Sequence, residues 1–137
     1  MLPVLPLIGD GRTRLQPVYV EDVAEAIARM LVDPATAGKT YELAGPRVYT
    51  LRNLFAIALR ILRQRRLLVS IPFALAEAQV RLFEHLPNPP LTTGQVDLLR
   101  ADNVANESAP GLRELGIEPK AIEDNVPTYF GRSRVGA

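Results

Sequence analysis

Cysteine is absent from the sequence and histidine occurs once, as His85. Without thiols there are no disulfides, no cysteine-held zinc and no thiol nucleophile. One histidine removes multi-histidine metal sites and leaves no pattern for a Ser-His-Asp triad. It stands in Phe83-Glu84-His85-Leu86, just ahead of Pro87, where a helix C-terminus stabilises an imidazole without any catalytic role. Long apolar runs are also missing. The opening MLPVLPLI is short, lacks a basic leader, carries two prolines and runs into Gly9-Asp10-Gly11, so it reads as neither a signal peptide nor a membrane span. Sixteen Lys and Arg face 15 Asp and Glu, and a net charge this small supplies no basic excess for nucleic acid. No repeat or low-complexity tract is present.

What is present is globular in character. Of 137 residues, 47% are apolar and 23% charged, which suits one domain or part of a larger one and excludes disorder of the whole chain. Gln16-Pro-Val-Tyr-Val20 is β-rich, with Pro17 suited to a strand start or edge. Asp22 and Glu25 have capping-box spacing, and Val23, Ile27, Met30 and Leu31 share a helical face that ends at Asp33-Pro34. Thr40 to Ala44 alternates like a strand and runs into Gly45-Pro46. Thr50 is a candidate cap for a helix carrying Leu51, Leu54, Phe55, Ala58, Ile61 and Leu62.

Leu67 to Ile71 reads as a third strand, stopped by Pro72, which suits the first turn of a helix with a stripe through Leu75, Ala76, Val80, Phe83 and Leu86. Pro87-Asn88-Pro89-Pro90 is the clearest break. Thr92 to Gln95 repeats the capping-box pattern before a helix through Val96 and Leu99. The C-terminal stretches APGLRELGIEP and AIEDNVPTYF suggest short helices with Gly and Pro stops. Alternating strands and helices predict an α/β layout, a small sheet of short strands covered by amphipathic helices. Three short strands give these helices little sheet to cover, so some apolar faces require a surface supplied by other residues.

Few of the motifs carry chemistry. GDGRTR approaches the GxGxxG dinucleotide loop, but Arg14 replaces the third glycine and the residues that follow are β-like, which predicts a turn between extended segments. Arg12 and Arg14 are the candidate substrate-contacting residues, able to donate to an anionic group. Arg60, Arg63, Arg65 and Arg66 form the densest charge cluster; they complement a helix C-terminus, or they face acidic phospholipid or an acidic partner subunit. A Tyr-x-x-x-Lys pair, in which lysine lowers the tyrosine pKa for proton transfer, is absent: four residues beyond Tyr19, Tyr41, Tyr49 and Tyr129 stand Val23, Gly45, Asn53 and Ser133.

The sum of several stretches nevertheless resembles one superfamily. GDGRTRLQPVYVEDVAEAI, GKTYELAGP and VSIPFAL are similar to the C-terminal half of extended and atypical short-chain dehydrogenase/reductases. Within it, LPLIGDGRTRLQPVYVEDVAEAI, KTYELAGPRVYTLRNL, PPLTTGQVDLLRADNV and APGLRELGIEP most resemble the NAD(P)-binding accessory-subunit family of NADH:ubiquinone oxidoreductase, respiratory complex I. The resemblance implies a C-terminal lobe of a Rossmann-type fold, with Met1 not its native start. The cofactor loop, most of the parallel sheet and any Tyr-x-x-x-Lys pair would then lie upstream. No cofactor is expected in residues 1–137, and NAD(P) is expected for the whole protein.

The same resemblance divides the chain into a strand-helix substrate-side lobe at 1–90, a short-helix segment at 91–130 that packs on it, and a frayed tail at 131–137. Its implied partners are the missing nucleotide-binding half and a respiratory-complex subunit or membrane surface, with self-association of the exposed lobe and no nucleic acid. The implied location is cytoplasmic and peripheral to the respiratory membrane. Two alternatives stand beside this one: part of an active NAD(P)-dependent oxidoreductase or nucleotide-sugar epimerase, and a self-contained interaction module. Nucleotide-sugar enzymes of the class often carry a GDGxxxR pattern, and Leu15 occupies the arginine's place here, which weighs against sugar-nucleotide turnover.

Overall fold

A computed structural model describes residues 4–83 and 93–125. Among them the chain forms strand β1 (Val4–Ile8), strand β2 (Arg14–Leu15), helix α1 (Val20–Val32), strand β3 (Tyr49–Thr50), helix α2 (Leu51–Ile61), strand β4 (Leu67–Ile71), helix α3 (Phe73–Phe83) and helix α4 (Thr93–Leu98). Single 3-10 turns lie at Pro34–Thr36 and Arg113–Leu115. The α/β class matches expectation. By its contacts the chain divides into two compact units, each built from two separated stretches: 1–15 with 50–103, and 16–49 with 104–137.

The first unit is organised by a parallel pair, β1 on β4, in register from Val4 opposite Leu67 to Ile8 opposite Ile71. β1 is a strand that the sequence reading passed over, because two prolines in MLPVLPLI hid it. Parallel neighbours need a long crossover, and here it is everything between Ile8 and Leu67. Leu7 is fully buried, and Ala76, Val80 and Val96 form a core with Ile8, Ile71 and Phe73 packed against it. Leu75, expected in the buried stripe of α3, is 60% exposed instead. Helix α2 begins as predicted, its Thr50 side chain accepting from the Asn53 N–H at 3.2 Å. Arg100 lies 4.8 Å above the Phe73 ring and pairs with Glu77.

In the second unit Ala26, Leu112 and Ile117 are the buried centre, with Val18, Met30, Leu43 and Leu115 around it. Three expectations are corrected here. Residues 16–19 are not a strand, and Val20 already belongs to α1. Thr40 to Ala44 is also outside any ladder, although the Glu42 N–H donates to the Pro110 carbonyl at 2.9 Å. A strand needs a neighbouring strand to share its hydrogen bonds, and no described strand runs beside this segment.

The third correction is the capping box. Tyr19 is the N-cap of α1, with no side-chain cap bond, which places Asp22 inside the first turn. Asp22 is instead buried, 1% exposed. It accepts from the Lys120 N–H at 2.9 Å and pairs with Lys120 Nζ at 3.5 Å. Its task is tertiary: it fastens α1 to the C-terminal stretch. The second capping pattern, at Thr92, the Pro87–Pro90 break, His85 and the tail at 131–137 all lie outside the described residues.

Candidate functional site

The Gly9-Asp10-Gly11 turn follows β1 directly. Gly9 and Gly11 have φ of 70° and 72°, a region that residues with a Cβ enter only at a cost. Space adds to the requirement, since a Cβ on Gly9 would fall 2.5 Å from the Phe73 ring and one on Gly11 would fall 2.2 Å from Leu7 Cδ2. The turn therefore leads from β1 into extended chain, as GDGRTR predicted, and not into a helix.

Its carbonyls also occupy the helix end that an anion would seek. The free N–H groups of a helix N-terminus form a ready anion site. In α2, however, the Leu51 N–H donates to the Thr13 carbonyl at 2.9 Å, the Arg52 N–H to the Gly11 carbonyl at 3.0 Å, and the Asn53 N–H to Thr50.

Arg12 and Arg14 extend from this turn, and each meets a carboxylate. Arg12 Nε lies 3.2 Å from Asp10 Oδ2, with the side chain 87% exposed. Arg14 is held by Asp102 through both its backbone N–H and its Nε, each at 2.8 Å. These two bonds, the backbone one foremost, hold the Asp102 carboxyl below the usual carboxylate range. The two arginines thus share a loop, and each is paired with its own carboxylate.

Among the described residues, the second unit contains the one clear perturbation of a tyrosine. The Tyr49 hydroxyl donates to Glu123 Oε2 at 2.6 Å, and Arg47 reaches Glu123 Oε1 at 3.5 Å. Burial, then the Glu123 hydrogen bond and charge, push the Tyr49 phenol up to about 12. Through this bond Tyr49 ties residue 49 to the C-terminal stretch of its own unit. Sequence reasoning did not single it out, because Glu123 lies 74 residues further along the chain.

The linkage is testable. Tyr49's raised pKa contributes stability that is complete below its ordinary 10.0 and is lost as pH rises through about 12. Glu123's lowered pKa, caused first by the Tyr49 bond, contributes stability above 4.5 that is lost as pH falls. Tyr49→Phe is expected to cost about 1 kcal/mol, discounted because Glu123 is over a third exposed. That difference should be flat between about pH 5 and 9 and shrink on either side, as read by urea unfolding at several pH values.

A cleft of about 240 Å³ in the same unit is lined by Pro17, Val18, Val20, Ala121 and Ile122, with Lys120 beside it. The Lys120 ammonium is already placed, near Asp22 and 5.0 Å from the centre of the Tyr19 ring. The volume is below the range of small-molecule sites. Among the described residues no group of His, Asp or Glu side chains could hold a metal ion. Nor is any described helix long and apolar enough to cross a membrane.

Comparison with known proteins agrees with the fold. The NADPH-dependent quinone oxidoreductase QOR2 of Escherichia coli, solved with NADPH, superimposes with a TM-score of 0.65 at 23% identity, over 91% of this chain and 45% of that one. The fold is thus that of part of a Rossmann-type NAD(P)-binding reductase. No protein-family model matches the chain. Among curated proteins, NADH dehydrogenase (ubiquinone) 1 alpha subcomplex subunit 9, mitochondrial, of Arabidopsis thaliana is 36% identical over 96% of this chain and 35% of its own length. The NADH-ubiquinone oxidoreductase 40 kDa subunit, mitochondrial, of Neurospora crassa is 30% identical over 90% of this chain and 33% of its own. By sequence the chain is homologous to this subunit-9 family of complex I, and it spans about a third of the length of these relatives.

Proposed function

We propose that residues 1–137 form the substrate-side or partner-docking lobe of an NAD(P)-binding, complex-I-accessory-like protein, with the nucleotide held by residues outside this stretch. The observation that carries the reading is the two-sided character of α1. Asp22, Ala26 and Met30 face the core of their own unit, whereas Val20, Ile27 and Leu31 recur at helical spacing on another face, 60%, 49% and 81% exposed. A helix that is apolar on more than one side is one that gets covered.

Thr40 to Ala44 supports the same reading. It alternates like a strand, packs Leu43 on the core and has no ladder partner among the described residues; a strand of the nucleotide-binding half is the partner we assign to it. Any anionic substrate group approaching Arg12 or Arg14 has to compete with Asp10 and Asp102. Mitochondrial respiratory-complex relatives favour a role peripheral to that membrane.

Residues 1–137 alone are therefore expected to self-associate at concentrations of tens of micromolar. The double substitution Ile27→Gln and Leu31→Gln is expected to restore a monomer. Sedimentation velocity decides: a monomeric parent with uniform hydrogen-exchange protection would show that the stripe needs no cover.

A further inference from the structure

Between Glu42 and Glu77 the sequence has no acidic residue, yet it places Arg47, Arg52, Arg60, Arg63, Arg65 and Arg66 there. Two of these are engaged. Arg47 reaches Glu123, and Arg52 donates to the Ser70 hydroxyl at 2.9 Å and to the Asp10 carbonyl. The other four lie together in the first unit, on the last turn of α2 and the turn that leads into β4. Among the described residues, none of their side chains makes a hydrogen bond or ion pair.

The helix dipole accounts for only part of this. Its attraction fades within the last turn, so it covers Arg60 and leaves Arg65 and Arg66 beyond reach. Arg63 holds a φ of 53°, which turns the chain sharply between α2 and β4. Arg60, Arg65 and Arg66 line an open groove of about 570 Å³ whose remaining walls include Ala56, Leu59 and Leu68. Next to it in the chain stand three exposed aliphatic side chains, Leu62 at 39%, Leu67 at 72% and Val69 at 46%.

We infer that this patch is a docking surface for an anionic phospholipid bilayer. Guanidinium groups without internal partners fit the phosphate layer, where each adds to the attraction of a negative surface. Exposed aliphatic chains beside them fit the acyl boundary just beneath. A protein interface would show aromatic anchors at its centre, and the groove lining contains none. This inference rests on the first unit alone and does not depend on the proposed nucleotide-free role.

Co-sedimentation with vesicles of phosphatidylcholine, with and without phosphatidylglycerol, tests it. The protein is expected to bind only the anionic vesicles, and less as salt rises. Arg65→Gln with Arg66→Gln should weaken binding about thirtyfold, while circular dichroism and sedimentation show an unchanged fold. Leu67→Gln should weaken it too but keep the salt dependence, and Lys39→Gln, which removes an exposed cation of the second unit, should leave it unchanged. Four results would overturn the inference: equal binding to both vesicle types, indifference to the double arginine variant, release by millimolar inorganic phosphate, or capture by polyglutamate without vesicle binding. The last two would point to a free-phosphate site and an acidic protein partner.

Discussion

Asp22→Ala is expected to destabilise the protein by roughly 2 to 4 kcal/mol, beyond the ordinary loss of a helix cap. The Asp22 carboxylate is 1% exposed and accepts from the Lys120 N–H at 2.9 Å, so truncation leaves a part-buried backbone donor without an acceptor. It also leaves the Lys120 ammonium without its carboxylate. Lys120 itself is half exposed, which keeps the estimate at the low end of what breaking a buried pair costs. Asp22→Asn retains an acceptor for the N–H and should cost less than half as much. Urea unfolding of the two variants checks both numbers. If Asp22→Ala shows a loss near 1 kcal/mol, equal to that of Asp22→Asn, a simple cap would explain it and the tertiary role would be wrong.

Gly45→Ala is expected to be comparably severe, at about 3 kcal/mol. A Cβ at this position would stand 2.0 Å from the Pro17 carbonyl oxygen, and a backbone oxygen cannot rotate away as a side-chain end can. Displacing Gly45 also disturbs Gln16, whose amide donates to the Gly45 carbonyl at 2.9 Å and accepts from the Ala105 N–H at 3.0 Å. Gly38→Ala is the control. Gly38 has φ of 73° with nothing within 4 Å of an added Cβ, so only backbone strain of about 1 kcal/mol is expected. Equal losses at the two positions would contradict the close approach of residues 17 and 45.

These two sites also show where the sequence was legible. Gly45-Pro46 was readable as a loop, but the carbonyl that makes glycine necessary at 45 belongs to Pro17, and no local pattern reports it. Asp22 had the right spacing for a cap, yet burial against Lys120 decided its role, and that partner lies 98 residues further on. Thr50 was readable because its acceptor role is satisfied three residues away.

β4 was legible as a short apolar stretch stopped by Pro72, whereas its partner β1 was masked by Pro3 and Pro6. The GDGRTR stretch was readable as a turn for a local reason, the β-like residues after it. That its carbonyls would cover the N-terminus of α2 was not, because Gly11 and Arg52 meet only in three dimensions. The same limit hid the Tyr49–Glu123 pair, while the arginines at 60 to 66 stood out as a plain charge run.

Titration of residues 1–137 with NADPH and with NADH, at about 0.15 M salt where exposed charge is screened beyond about 8 Å, tests the central claim most directly. Dinucleotide affinity needs a glycine-rich turn opening onto free helix N–H groups. Here the first three N–H groups of α2 are already bonded to Thr13, Gly11 and Thr50. The account predicts no saturable binding in the micromolar range; saturable micromolar binding of either nucleotide would contradict it.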